Sequence, residues 1–419
     1  MNFRSDGLSR IFWGMSSQIF ASAISLALTI FTARAVSATE YGLFSLALTT
    51  AFFVTGMIRA MTSEVLVFRH SSATGANRER MSGECLSAGI FLAIVVALLT
   101  LGVGLLTSST LWILVAASLV GLVVQDNVRF VLMAHGRTKG ATLLDGLTLV
   151  GTVGFLVVAT LLDNINWFVV AWGAAAWVSA VFGLLMLKPK LRFRNARAWG
   201  GLAWAESRFF AGEYALTNAV STGSVYFIAL LLGAVAAGQI RAASMLVLPI
   251  LLLTRGLLLA VAAESNRLIA ERRFAAVGKI GFVMSISAVL ITIVWIPLVI
   301  VVPAEVLVFL LGDSAEGAKA VFPYVALATA AAGVAAGPNL ILKSAGQVKT
   351  TLLGKIIALP VAAGGVVLFS LTAGVAGSQI GLAIGELLRG AWGACWARAW
   401  LKRQSRVSQK PESLPARKM

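Results

Sequence analysis

Charged residues are scarce in this chain. Only 12% of its 419 residues are Asp, Glu, Lys or Arg, whereas soluble domains carry about 25%. The mean hydropathy is +0.91. So little charge cannot cover the surface of a water-soluble protein of this length, which excludes soluble globular and intrinsically disordered classes. Acidic residues are scarcer than basic ones: the chain has 17 Asp and Glu and 34 Lys and Arg.

Cysteine and histidine are also nearly absent. Cys85 and Cys395 give no disulfide framework, and His70 and His135 lie far apart in sequence. Neither pair has the spacing of a metal site. The phosphate-binding pattern GxxxxGK[ST] does not occur. We therefore predict no catalytic residues, no metal and no cofactor, and we do not expect an enzyme.

Long apolar runs are abundant, and twelve of them are long enough to span a membrane. They cover residues 11–35, 43–66, 85–107, 111–133, 141–162, 167–187, 209–232, 240–262, 281–302, 319–342, 352–373 and 379–397. The sequence therefore predicts an all-α polytopic membrane protein with twelve transmembrane helices.

Basic residues are distributed unequally between the two sides of these spans. With the N-terminus inside, the inner segments contain 26 of the 34 Lys and Arg, and the outer loops contain none. This is the asymmetry of a protein in the cytoplasmic (inner) membrane with both termini in the cytoplasm. The excess charge is thereby explained without nucleic acid as a partner.

A basic segment at 188–208 separates six spans from six. We predict an N-lobe at 1–187, a cytoplasmic linker at 188–208, a C-lobe at 209–397 and a disordered basic tail at 398–419. An offset of 196 residues matches Gly42 with Gly238 and Arg59 with Arg255. Matches in corresponding spans of the same direction indicate a parallel repeat with a pseudo-twofold axis along the membrane normal.

Two equivalent spans carry polar stripes at helical spacing. The stripe of span one consists of Gln18, Ser22, Ser25, Thr29 and Thr32. The stripe of span seven consists of Glu213, Thr217, Ser221 and Ser224, flanked by Asn218. Such faces either line a wet central cavity or form hydrogen bonds between helices. The carboxylate in span seven favours a cavity there.

Charged residues inside the spans are candidate functional groups because they are costly in lipid. Arg59 and Arg255 lie about 24 Å along spans two and eight, where they either snorkel to the inner interface or receive phosphate groups. Asp126 and Arg129 are placed to pair with each other, as structural glue or for ion coupling. Glu213 is the strongest ion-coupling candidate. Arg34 and Arg241, at the outer ends of their spans, either snorkel or contact an anionic substrate on the exit side.

Several segments carry a family resemblance. They are ARAVSATEYGLFSLALT (33–49), VQDNVRFVLMAHGRTKGA (124–141), GAVAAGQIRAASMLVLPI (233–250) and VLVFLLGDSAEGAKAVFPYVA (306–326). The pattern resembles the polysaccharide flippases of the multidrug/oligosaccharidyl-lipid/polysaccharide (MOP) exporter superfamily. The resemblance implies two six-helix bundles around a central cavity lined by spans one and seven. It also implies that the protein flips undecaprenyl-diphosphate-linked oligosaccharide from the inner to the outer leaflet by alternating access.

On this basis the expected substrate-binding residues are Arg59, Arg255, Gln18, Ser22, Ser25, Asn218 and Ser221, and the ion-coupling candidates are Glu213, Asp126 and Arg129. Membrane lipid and the lipid-linked oligosaccharide are expected partners, and a polysaccharide polymerase or other assembly protein is a further candidate. Two alternatives stay open. One is an ion-coupled small-molecule (drug) exporter of the same superfamily. The other is a membrane enzyme of polysaccharide assembly, although the short outer loops hold no catalytic constellation.

Overall fold

The computed structural model describes residues 3–70, 75–162, 164–191, 193 and 196–409, and all regular secondary structure in these residues is helical. A short 3₁₀ helix at Gly312–Ser314 accompanies fourteen α-helices. The α-helices are α1 (Phe3–Ala35), α2 (Ala38–Met61), α3 (Ser63–His70), α4 (Gly75–Leu106), α5 (Thr110–Ala134), α6 (Thr138–Ala159), α7 (Ile165–Leu187), α8 (Ala196–Leu232), α9 (Ala234–Leu246), α10 (Leu248–Ala270), α11 (Phe274–Val301), α12 (Ala304–Leu311), α13 (Ala315–Ser344) and α14 (Val348–Gln409).

The helices identify a multi-pass membrane protein. Among the described residues, nine helices are long and apolar enough to cross a membrane, and the bent pair α9–α10 raises the number to ten. Helices cover each of the twelve predicted ranges, apart from at most three residues at an end and breaks of a single residue. The tail predicted to be disordered differs in part, because α14 continues to Gln409. The ring of Trp400 packs edge-on against Phe274 at 5.7 Å between centroids and holds this extension on α11.

Local sequence signals explain two of the helix boundaries. In SATEYG, the Ser37 hydroxyl accepts a hydrogen bond from the Glu40 N–H, and the Glu40 carboxylate accepts one from the Ser37 N–H. This capping box satisfies free backbone groups at the start of α2. Pro249 in the first turn of α10 has no N–H to donate, and a 47° bend separates α9 from α10 at this point.

The long helix α14 is a hairpin of two limbs. Ala373 and Gly374 have non-helical backbone angles, and Gly374 takes φ of +59°, which a residue without Cβ adopts easily. Gly381 of the second limb lies against the backbone of Gly365 and Val366 in the first. The small residues Gly377, Gly381 and Gly385 thus let the two limbs approach each other closely.

The chain divides into two compact units. Unit 1 takes the described residues up to Ala242 together with Ala304–Glu316. Its central helix is α5, which packs against α2, α4, α6 and α7. The core around α5 contains fully buried Leu119 and Leu132, but one turn of the helix buries three polar residues, Gln125 to Asn127.

The helix α8 packs along α2 within unit 1. The Tyr214 ring occupies the space left by Gly56, and the Tyr226 hydroxyl bonds with Thr50. Trp199, in the segment predicted as a linker, is buried and donates its indole N–H to the Met61 carbonyl at 3.2 Å. The second half of the predicted linker is therefore helical and packed.

Unit 2 takes Ala243–Pro303 and the described residues from Gly317 onward. Its helices are α10, α11, most of α13 and both limbs of α14. The Trp295 indole N–H donates to the Leu246 carbonyl at 2.8 Å, which ties α11 to the bend before Pro249. The predicted N-lobe and C-lobe follow from the sequence repeat, whereas the two units follow from contacts between residues. The lobe boundaries stay a prediction.

Candidate functional site

A chain of ion pairs runs through unit 1, and it starts at the break between α2 and α3. Arg59 lies in the last turn of α2, closer to the helix end than its sequence position predicts, because α2 ends at Met61 whereas the predicted span runs to residue 66. Its Nε donates to Glu64 Oε1 at 3.1 Å, and its Nη1 donates to Asp126 Oδ2 at 3.3 Å. Arg59 thus joins α2, α3 and α5.

Arg129 extends this series of ion pairs toward α6 and α1. Its Nη2 donates to Asp126 Oδ1 at 2.6 Å, one turn away on α5, and its Nη1 lies 3.5 Å from Asp145 Oδ2. The Asp145 carboxylate also accepts hydrogen bonds from the Ser17 hydroxyl and, at 3.1 Å, from Gln125 Nε2. The pairing of Asp126 with Arg129 confirms the i, i+3 prediction.

Burial makes these pairs depend on one another. The side chains of Asp126 and Asp145 are 8% and 2% exposed, and that of Arg129 is 12% exposed. The Phe130 ring lies 5.2 Å from the Arg59 guanidinium and 5.1 Å from that of Arg129, and it covers both. Because a buried charge without its partner is strongly destabilising, these groups form one unit.

The ionic chain, defined as Glu64–Arg59–Asp126–Arg129–Asp145, contains three carboxylates and two guanidinium groups. With all groups ionised it carries one excess negative charge. A proton or a small cation neutralises that excess, and a rearrangement of the pairs changes how strongly it is held. The ionic chain therefore has the chemistry of an ion-coupling site. It serves equally as a structural link between α2, α3, α5, α6 and α1.

Asn127 fixes the backbone beside this chain. Its Oδ1 accepts hydrogen bonds from the hydroxyls of Thr62 at 2.9 Å and Ser63 at 2.7 Å. Thr62 and Ser63 form the junction of α2 and α3. Asn127 thereby holds the break across which Arg59 reaches Glu64.

A second arginine, Arg241, has a different environment. Its Nη2 donates to Ser25 Oγ at 2.8 Å, and its guanidinium lies 5.5 Å from the centroid of the Phe52 ring. Its Nε is buried without a hydrogen-bond partner, and no carboxylate lies within ion-pair distance of it in the described part of the chain. Arg241 is therefore a half-buried cation whose charge is not neutralised by any acidic side chain that the structure describes.

The depth of Arg241 makes this arrangement costly. α9 begins at Ala234, so Arg241 lies about 10 Å along the helix, and Ser25 lies about 15 Å before the end of α1 at Ala35. These depths approach the middle of a hydrocarbon core about 30 Å thick. Snorkelling to the near interface is disfavoured at such a depth, and an ionisable group there is a functional candidate.

The remaining predicted substrate residues have separate positions. Ser22 is half-buried on α1. On α8, Asn218 Nδ2 donates to the Tyr214 carbonyl and the Ser221 hydroxyl donates to the Asn218 carbonyl, so each side chain makes a hydrogen bond within its own helix. The side chains of Gln18 and Arg255 lie outside the described part of the structure. Glu213 is half-buried on α8.

Sequence reasoning missed part of both arrangements. Neither Asp145 nor Glu64 is among the predicted site residues, and Ser17 gives no sequence signal. The structure brings Asp145 to Arg129 across the α5–α6 packing. Arg241 reads as an outer-end residue because its apolar run begins at residue 240, whereas α9 begins six residues earlier. In the described residues, no cluster of His, Cys, Asp and Glu is arranged to hold a metal ion.

Comparisons with known proteins identify the fold. No protein-family model and no curated protein matches this chain. Solved structures match it over nearly its whole length. A multidrug resistance MATE family transporter of the MOP superfamily, in an inward-facing conformation, has a TM-score of 0.69 and 13% identity over 95% of this chain and 96% of its own.

Two further structures agree. Lipid II flippase MurJ, in an inward closed conformation, has a TM-score of 0.70 and 12% identity over 96% of this chain and 94% of its own. A MOP superfamily transporter from Pyrococcus furiosus has a TM-score of 0.60 and 14% identity over 94% and 95%. These neighbours are transporters rather than enzymes, and identities this low establish shared fold alone. The chain has the fold of the MOP superfamily transporters.

Proposed function

We propose that this protein is a flippase for an anionic lipid-linked oligosaccharide. It moves undecaprenyl-diphosphate-linked oligosaccharide from the inner to the outer leaflet of the cytoplasmic membrane by alternating access, for surface polysaccharide synthesis. Twelve spans form two pseudo-twofold-related six-helix bundles around a central cavity, with both termini in the cytoplasm. The number twelve follows if α1 and the two limbs of α14 each count as a span beside the other helices.

The observation that carries the proposal is Arg241. An unneutralised guanidinium that bonds Ser25 on the polar stripe of α1 is suited to a phosphate oxygen, which supplies the missing negative charge. A cationic drug gains nothing from such a group. A diphosphate cannot cross hydrocarbon unaided, because its charges lose their hydration without replacement.

The other predicted substrate residues have secondary roles in this proposal. Arg59 is neutralised by Glu64 and Asp126. It therefore receives a phosphate only if the substrate displaces one of these carboxylates. Arg255 is its repeat equivalent and a second phosphate contact. We assign the hydroxyl and amide groups of Gln18, Ser22, Asn218 and Ser221 to the sugar.

A second candidate function is ion-coupled small-molecule export. The ionic chain around Asp126 and Arg129 favours it, because the excess carboxylate suits proton or cation coupling. Glu213 is a further coupling candidate. Coupling of this kind also suits the flippase, since the sequence has no ATP-binding motif and transport must draw on an ion gradient, the membrane potential or removal of product.

The test uses the purified full chain in proteoliposomes. The substrate is a fluorescent undecaprenyl-diphosphate oligosaccharide, and its exposure to a membrane-impermeant quencher reports flipping. We expect the wild type to flip it, Arg241→Gln to lose flipping, and Arg34→Gln to retain it. Arg34 is an exposed arginine stacked on Phe309 and serves as the matched control.

Two outcomes separate the candidates. Wild-type vesicles that accumulate cationic dyes but do not flip the lipid favour the small-molecule exporter and reject the flippase. Flipping by Arg241→Gln at the wild-type rate removes Arg241 from substrate recognition.

An assembly protein such as a polymerase, if it is a partner, is expected to co-purify with the chain after crosslinking in the membrane.

A further inference from the structure

Unit 2 contains an apolar groove that no part of the proposed transport mechanism uses. It has a volume of about 630 Å³, which is within the size range of small-molecule sites. α11, α13 and the second limb of α14 form its walls. Glycine and apolar side chains line it, apart from Ser285 and Arg398.

Glycines on α11 lie in close contact with the neighbouring walls of the groove. A Cβ on Gly281 would lie 2.8 Å from Cγ1 of Ile341, and a Cβ on Gly278 would lie 3.2 Å from Cδ1 of Leu401. Larger residues at these positions would press against Ile341 and Leu401, which also line the groove. Glycine therefore lets α13 and α14 pack closely against α11 along the groove.

The polar group on the floor of the groove is fully used. Pro338 has no N–H, so it leaves the carbonyl of Val334, four residues earlier, without its helical donor. The Ser285 hydroxyl donates to that carbonyl at 2.9 Å and accepts the Gly337 N–H at 3.0 Å. Because the Ser285 O–H and the Val334 carbonyl bond each other, the floor offers little to water and suits hydrocarbon.

A cation stands at one end of the groove. Arg398 is exposed, and no carboxylate among the described residues lies within ion-pair distance of it. Trp396 is exposed two residues before it, where an aromatic side chain at the lipid–water interface is expected. Lys402 lies one turn further along α14 and is also exposed. The distribution of basic residues assigns this end to the cytoplasmic leaflet.

We propose that the groove is a binding site for an anionic phospholipid of the cytoplasmic leaflet. One acyl chain lies along the glycine face of α11, and the phosphate contacts Arg398. In a membrane a groove with no polar partners is filled by lipid chains, and basic residues at its cytoplasmic mouth select an anionic headgroup. A bulk phospholipid suits the site better than a rare substrate, because a shallow groove is filled by the most abundant lipid. The inference does not depend on what the protein transports.

The test measures lipid binding by the purified full chain in detergent. Dioleoyl phosphatidylglycerol and dioleoyl phosphatidylcholine have identical acyl chains and differ in charge. Native mass spectrometry gives apparent Kd values for each. We expect tighter binding of phosphatidylglycerol to the wild type. Arg398→Gln removes one basic contact, and we expect it to raise the apparent Kd for phosphatidylglycerol about fivefold.

Two variants locate the site. Arg403→Gln removes an exposed charge on the same helix that does not line the groove, and we expect it to keep the preference. Ala394→Leu fills part of the groove without changing charge, and we expect it to weaken both lipids. Equal binding of the two lipids by the wild type, or equal effects of Arg398→Gln and Arg403→Gln, would overturn the site.

Other occupants give recognisable results that reject the phospholipid. Displacement of phosphatidylglycerol by equimolar undecaprenyl phosphate, with Arg398→Gln weakening the latter more, would assign the groove to a polyprenyl chain. A lipid-free dimer that Ala394→Leu dissociates would assign it to a second copy of this chain. Persistence of the phosphatidylglycerol preference in Arg398→Gln shows that Arg398 does not hold the headgroup.

Discussion

Gly238 of α9 faces Gly42 of α2 so closely that a Cβ built on Gly238 would lie 3.3 Å from the Gly42 Cα atom. The same two residues are matched by the 196-residue offset between the halves of the sequence. The backbones of α2 and α9 therefore approach each other closely at this pair, and the repeat itself stays a prediction.

This contact predicts that Gly42→Leu destabilises the protein. The new side chain would collide with the Ala234 backbone, which cannot move aside as a flexible side chain can. Overpacking of this kind costs about 1–3 kcal/mol. The thermal midpoint in detergent is the measurement, and Gly102→Leu is the control because nothing lies within 4 Å of its Cβ position. Equal midpoints for the two variants would show that the approach of α2 and α9 is not tight.

Sequence reasoning located the helices better than the contacts between them. Runs of apolar residues fix membrane spans because a span needs about 20 of them, and the i, i+3 spacing fixes the Asp126–Arg129 pair within one helix. The Arg129–Asp145 contact depends on how α5 packs against α6, and one-dimensional spacing does not encode that. The depth of Arg241 is underestimated from sequence because the predicted span starts at residue 240, whereas α9 begins at Ala234.

The ionic chain predicts a large, non-additive stability effect. Arg129→Met leaves the carboxylates of Asp126 and Asp145 without their shared cation, and we expect a loss of about 3–5 kcal/mol. Adding Asp145→Asn to Arg129→Met removes one stranded charge and should recover part of the loss. Thermal midpoints of the wild type, both single variants and the double variant complete the cycle. Strict additivity would mean that the two residues do not interact.

Substitution of Arg241 is predicted to have the opposite effect on stability. Its guanidinium has no carboxylate partner among the residues that the structure describes, so Arg241→Met removes a charge that is costly at this depth. We expect the thermal midpoint to stay at or above that of the wild type while lipid flipping is lost. Such a trade of stability against activity is typical of functional groups. A midpoint as low as that of Arg129→Met would identify Arg241 as a structural residue.

The hairpin of α14 predicts a contrast between two glycines of one helix. Gly381 lies on the backbone of Gly365 and Val366, whereas the Cβ position of Gly364 has no neighbour within 4 Å. Gly381→Leu should therefore separate the two limbs and lower the thermal midpoint, by overpacking worth about 1–3 kcal/mol. Gly364→Leu adds the same side chain to the same helix without a collision.

The pair isolates packing from helix propensity, because leucine is a better helix former than glycine at either position. Propensity alone raises the midpoint of both variants, and only the limb contact lowers one of them. A fall in Gly381→Leu with an unchanged or higher midpoint in Gly364→Leu assigns the effect to the close approach of the limbs. Equal increases in both would mean that the limbs have room to spare at Gly381, and that the small residues at 377, 381 and 385 do not set their separation.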